Sequence, residues 1–192
     1  MSGSGFHVHG PHDHELEHVA QGHAPDKSAS RIAVVTAIIA TIGAIFSYMG
    51  GATQANAGLF KNNAAIKKTE ASNQWNYYQS KSSKQNLSEL AAAIVPAEKV
   101  ETYQKEIARY SGEKAEIKKA AEKLEAEATA WELASDVQMH QHHRWAQATT
   151  ALQIAIALAA IALLTKIAWL RTGVFAVAGL GCVIGLMAFL HI

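Results

Sequence analysis

The chain is short of the residues that announce a chemistry. Cys182 is the only cysteine among 192 residues, so no intrachain disulfide can form and cysteine usage says nothing about redox compartment. Three prolines occur, and Pro96 is the only one between positions 26 and 192. Most of the chain therefore lacks the residue that most reliably breaks a helix. A net charge of +1 provides no basic field, which removes electrostatic support for nucleic-acid binding. There is no Walker loop, no H-E-x-x-H and no G-x-S-x-G, so an enzymatic reading has no motif to rest on. Asp and Glu are missing from three apolar runs, residues 32–51, 146–165 and 173–190, and none has a central Lys or Arg. Ion pumps and proton-coupled carriers mark their paths with such residues.

Those three runs are the strongest signal present. Each has about the length that crosses a ~30 Å hydrocarbon core at ~1.5 Å per helical residue. The mean hydropathy of only +0.02 averages over these runs and a middle rich in Lys, Glu, Gln and Ala. The expected fold class is an all-α membrane protein: three transmembrane helices with a long extramembrane antiparallel coiled-coil hairpin. The expected divisions are a tail at 1–30, a first span at 31–52, a hairpin at 53–145, a second span at 146–165, a short basic loop at 166–172 and a third span at 173–192. The tail has no apolar core, so it is read as a disordered segment rather than a signal peptide, and the first run as an uncleaved anchor. Thr36, Thr41 and Ser47 are tolerable in that run because a hydroxyl can bond a carbonyl one turn back. Lys166 and Arg171 sit in the shortest loop, which places the N-terminus and that loop in the cytoplasm and the hairpin and C-terminus outside, in a bacterial inner membrane.

Within the middle, Pro96 predicts a turn near its midpoint, with Glu98 following in the first turn of a new helix. From Val100 through Tyr103, Ile107, Tyr110, Lys114, Ile117, Ala121, Leu124, Ala128, Trp131 and Ser135 to Gln138, spacings of three and four alternate. That is a heptad seam, and it runs on through His142 and Trp145. Lys114 interrupts it, as a stem lying along the seam or as a register device. In the first arm the expected seam is Leu59, Ile66, Asn73, Ser80, Leu87 and Ile94, seven apart and polar at its centre.

Five groups of residues are candidate sites. His7, His9, His12, His14, His18 and His23 crowd the tail, and neutral imidazoles on a flexible chain can hold a transition metal weakly. No other cofactor is expected. His140, His142 and His143 offer an incomplete ligand set at the hairpin base, where interfacial packing is the simpler reading. Gln74, Trp75, Tyr77, Tyr78, Lys81 and Lys84 combine aromatics, an amide and amines, a set able either to bind a peptide, glycan or headgroup or to pack against the second arm. Gly179, Gly181 and Gly185 include a G-x-x-x-G pair suited to close helix approach, within or between chains. Trp145 and Trp169 bracket the second run as interfacial anchors, and Gln153 is the most polar residue inside it, suited to a bond with another helix.

The segment QWNYYQSKSSKQNL, which follows one apolar run and a His-rich tail, resembles an uncharacterised family of small bacterial inner-membrane proteins labelled as a domain of unknown function. The resemblance covers most of residues 30–192 and is most specific over 74–85. It implies a bacterial membrane location, and it brings no activity or ligand. The expected function is a non-enzymatic assembly or scaffold protein that meets membrane lipid and forms homo-oligomers through its hairpin and glycine-rich third span. The alternatives are a metal-handling or transport-accessory protein using the tail, or an oligomeric channel.

Overall fold

The computed structural model describes residues 27–191. Among them there are three helices and no strand: α1 (Lys27–Ile94), α2 (Ala97–Thr165) and α3 (Ala168–Phe189). All three are long and apolar enough to cross a membrane by length and composition. Two expected boundaries fall inside helices. Neither 52/53 nor 145/146 is a break: helix runs through both, and Gly50 and Gly51 beside the first cost propensity without interrupting it. Helix α1 begins at Lys27, so the last residues assigned to the tail are helical, while the expectation of disorder further N-terminal lies outside the described residues.

The two connections are short. Val95 and Pro96 alone separate α1 from α2, with the Val95 N–H donating to Ala91 O at 3.0 Å and the Lys99 N–H to Pro96 O at 2.9 Å. Proline lacks an N–H and disfavours helix in the residue before it, so one helix stops and another starts there. The expected basic loop at 166–172 shrinks to Lys166 and Ile167. Lys166 takes a left-handed φ of 55° and its N–H donates to Ala162 O at 3.0 Å, a compact cap for the last turn of α2. Arg171 is therefore helical and lies in α3.

Contacts divide the chain into two units. One comprises residues 49–143. In it, partners descend along α2 as they ascend along α1: Ser135 Oγ–H donates to Ala57 O at 2.9 Å, Lys61 and Lys68 reach Glu132 at 2.8 and 2.9 Å, Trp75 reaches Glu125 at 2.8 Å, and Ser88 reaches Glu106 at 3.1 Å. The two helices are thus an antiparallel pair. Every α2 position of the series from Val100 to Gln138 is buried or half-buried. On α1 the expected seam is displaced by one residue. The inward series is Thr53, Ala57, Phe60, Ala64, Lys67, Ala71, Gln74, Tyr78, Lys81, Gln85, Ser88 and Ala92, all buried or half-buried at alternating spacings of three and four. Leu59, Ile66, Leu87 and Ile94 instead stand outward, 47–75% exposed. The alternate positions of this series, Ala57, Ala64 and Ala71, are small and let the backbones come close, while Phe60, Lys67, Gln74 and Lys81 fill the places between them.

The other unit comprises the described residues up to Tyr48 and those from Arg144 onward. Its core is Ile39, Leu152, Ala155, Ala159, Val174 and Ala178. Gly181 and Gly185 serve close packing within the chain. A Cβ on Gly181 would lie 2.8 Å from Leu152 Cδ2 and 3.2 Å from Ala148 O, and one on Gly185 only 2.3 Å from Phe46 Cε2. Gly179 faces open space. Gly181→Ala is therefore expected to destabilise the protein by about 1–3 kcal/mol, as overpacking does, because Leu152 is fully buried and has nowhere to move. Gly179→Ala should be neutral or slightly stabilising. Thermal melts of the two variants in one detergent check the contrast.

Candidate functional site

The segment 74–85 lies at the centre of the 49–143 unit, where the α1 series turns polar. Helical spacing alone decides which of its side chains meet α2. Gln74, Tyr78, Lys81 and Gln85 fall on the inward series, Trp75 and Ser82 flank it, and Tyr77 and Lys84 are exposed.

Lys81 and Tyr78 meet specific partners on α2, whereas Gln85 bonds Glu89 on its own helix at 2.8 Å and leaves its buried Oε1 unpartnered. The Lys81 amine lies 2.6 Å from Glu113 Oε2, 5.0 Å from the Tyr77 ring centre and 5.7 Å from that of Tyr110. Its stem is largely buried while its charge is paired and faces two rings, which suits an ammonium that has lost part of its water. The hydrogen bond to Glu113 holds the Lys81 amine above its ordinary pKa, and the same bond holds the Glu113 carboxyl below its own. Lys114 mirrors this arrangement from α2. Its amine donates to Ser82 Oγ at 3.2 Å and sits 5.2 Å from the Tyr78 ring. The lysine that interrupts the α2 series thus combines a stem in the seam with a polar cross-bridge. Trp75 donates its indole N–H to Glu125 Oε1 at 2.8 Å and packs edge-on to Tyr78 at 5.6 Å. Of the six residues picked out in this segment, Tyr77 and Lys84 are the two that the seam leaves most open. An open groove flanks Trp75, bordered by Lys68, Ser72, Asn76, Gln79 and Thr129.

Toward one end of the pair, Glu132 accepts from Lys61 at 2.8 Å and from Lys68 at 2.9 Å. These two hydrogen bonds lower its pKa from the ordinary 4.5 to about 2, and the bond to Glu132 raises that of Lys61. Lys67 bridges Glu70 at 3.0 Å and Glu127 at 3.3 Å. Sequence spacing along one helix could not foretell these cross-pairs, since they need the α1 register that the outward Leu and Ile residues obscure.

The other candidates separate. His142 donates its Nδ1–H to Gly50 O at 2.9 Å and stacks edge-on to His143 at 5.7 Å, while His140 is exposed. Among the described residues no group of three His, Cys, Asp or Glu is placed to hold a metal. His7, His9, His12, His14, His18 and His23 lie outside the described residues. Trp145 is 4% exposed with its ring 5.2 Å from Phe46, whereas Trp169 is 71% exposed. Only Trp169 has the open position an interfacial anchor needs. Trp145 serves as packing because the inward series of α2 passes through it.

The family model for a domain of unknown function, DUF4337, matches residues 28–191, and the chain belongs to that family. No curated protein and no solved structure matches it.

The Glu132 cluster sets a pH expectation. A carboxyl whose folded pKa lies below its unfolded value contributes stability that is present above about 4.5 and lost as pH falls toward about 2. Glu132→Gln should therefore flatten the acid side of the melting profile over that window and lower the melting temperature at neutral pH. Melts of both proteins at a series of pH values from neutral down to about 2 check it.

Proposed function

We propose that this protein is a non-enzymatic assembly or scaffold element of a bacterial inner membrane, held by three spans and forming homo-oligomers. The observation that carries this reading is the surface of the unit built from residues up to 48 and from 144 onward. Val34, Ile38, Ile45, Ile154, Ile161, Leu164, Phe175, Leu180, Val183 and Leu186 are all roughly half exposed or more there. Among its described residues there is no Asp or Glu. Such a surface is far larger than the apolar patches water tolerates on soluble monomers, and lipid is the solvent that suits it. Five of its threonine hydroxyls are closed on their own backbone: Thr36 on Ile32 O, Thr41 on Ala37 O, Thr149 on Trp145 O, Thr150 on Ala146 O and Thr165 on Ile161 O, at 2.8–2.9 Å. Gln153 is an exposed amide within the apolar part of α2, as is Gln147 near its start. An amide facing hydrocarbon gains from a partner on another helix, which favours assembly.

In this reading the 49–143 pair is a coiled-coil hairpin on the periplasmic side. The Gly181 and Gly185 contacts are internal, so they give no support to assembly through α3. Residues 166–167 and the N-terminus face the cytoplasm, by the weight that Lys166 and Arg171 carry in a short connection. Alkaline carbonate should leave the chain in the membrane pellet, and light scattering in mild detergent should give a mass of two or more copies. A strict monomer in several detergents would sink the assembly reading.

The spacing of the tail histidines favours metal binding as a second activity. Titrating Ni, Zn, Cu and Co into the full chain and into one lacking residues 1–28 should show stoichiometric weak binding only in the former. Equal binding by both would remove the tail from metal handling.

A further inference from the structure

We infer that the outward face of α1 in the 49–143 unit is a contact surface for a second copy of this chain. The inference rests on the assembly reading above and names the surface it would use.

The argument starts from charge. In each heptad of α1, three positions lie farthest from α2. From 51 to 94 these positions hold only Gly, Ala, Ser, Thr, Asn, Gln, Leu and Ile. All seven charged residues of that stretch stand elsewhere on the helix. The equivalent positions of α2 are the reverse, with Glu101, Lys105, Arg109, Glu116, Lys123 and Asp136 all exposed on them. Two helices of one pair facing only water would have no reason to differ so completely. Charge keeps a helical rod soluble and apart from its copies, and α1 lacks it along one whole face.

The face also has relief. Leu59, Ile66, Leu87 and Ile94 form ridges 56%, 47%, 65% and 75% exposed. Small residues adjoin the first two: a Cβ added to Gly58 meets nothing within 4 Å, and Ala65 is exposed. A charged partner would have to bury its charges against this face without a counter-ion, which is costly. A surface equally free of charge, with ridges at the same spacing, is the α1 of another copy. The face is roughly 65 Å long and ~10 Å wide, so two copies would bury about 1,200 Å², the lower bound for a specific interface.

Direction follows from the membrane. Copies inserted the same way present α1 in parallel, and a two-fold axis along the helices sets each residue against its own number. Asn73 and Ser80, which interrupt the ridge, then meet Asn73 and Ser80. Amides and hydroxyls both donate and accept, so each can bond its own kind, and a polar interruption in an apolar seam fixes register.

The test uses the full chain in native membranes, carrying Cys182→Ala. Single cysteines replace Leu59, Ile66 and Leu87 on α1 and, as comparison, Lys119 and Lys123 on the outer face of α2. Mild oxidation should give disulfide-linked dimers from the α1 positions at several times the yield of the α2 positions. In mild detergent, Ile66→Asp combined with Leu87→Asp should reduce the particle mass at least two-fold with helix content unchanged. Equal yields from both helices, or an unchanged mass, would overturn the α1 face and leave assembly standing. A monomeric parent would overturn both. If the Asp variant fails to fold, the cross-linking yields alone decide.

Discussion

Close approach of α1 and α2 between residues 49 and 143 is the constraint on which the rest of that unit depends. Ala57, Ala64 and Ala71 on one helix and Ala121, Ala128 and Ser135 on the other are all buried, at 0–5% exposure. A serine hydroxyl spans only one bond beyond Cβ, yet Ser135 reaches a backbone carbonyl of the opposite helix. His142 does the same with Gly50, and because a carbonyl can only accept, this bond sets the proton on Nδ1. Both contacts need axes closer than bulky core residues permit. Alanine supplies little apolar area per residue, so length compensates. The seam repeats over some six heptads, and larger groups add area to it, among them Ile117 at 8% exposure and the Phe60–Trp131 contact at 5.4 Å.

Short separation then dictates how the polar middle behaves. Long polar side chains that start at seam positions carry their stems in the seam and their end groups out to its edge, where they meet partners. Lys67, Lys81 and Lys114 all do so. Most of the resulting ion pairs are well exposed, and exposed pairs contribute little net stability. Their value is in alignment. Lys81 with Glu113, Lys114 with Ser82 and Trp75 with Glu125 each name one register, and a shift by a heptad would unmake all three at once. An alanine seam without them would be far more tolerant of slippage, because one alanine packs much like the next.

How far this was legible in the sequence depended on which residues carry the pattern. The α2 series could be read because Val100, Ile107, Ile117, Leu124 and Trp131 mark it with large apolar groups. The turn was legible because proline has few permitted surroundings. The α1 register was not, since hydrophobicity weights Leu59, Ile66, Leu87 and Ile94 above alanine, and those residues point the other way. A rule that also tracked small residues would have found Ala57, Ala64 and Ala71 seven apart. The divisions at 52/53 and 145/146 lie inside continuous helices for a related reason: a change of composition along a chain marks a change of surroundings, whereas a helix ends only where its hydrogen bonds do. Of the candidate sites, the 74–85 segment stands out in sequence by its aromatics and amines, and its packing on α2 needed the register to be seen.

The glycines of α3 show how a motif can be right about geometry and silent about partner. G-x-x-x-G records only that something approaches closely along one face. In this chain the approaching groups are Leu152 and Phe46 of its own helices. Once the closest-packing face of α3 is spent internally, any contact between copies has to be made by surfaces the chain leaves unfilled. Two such surfaces differ in kind. On the proposed membrane reading, the apolar residues of the unit up to 48 and from 144 onward gain nothing from a protein neighbour over a lipid tail, since both are equally apolar. On the same reading Leu59, Ile66, Leu87 and Ile94 in the 49–143 unit have water as their alternative, and burying them stabilises by about 1.5–3 kcal/mol per fully covered side chain. The hydrophobic effect would then favour association at the α1 face far more than between the proposed spans.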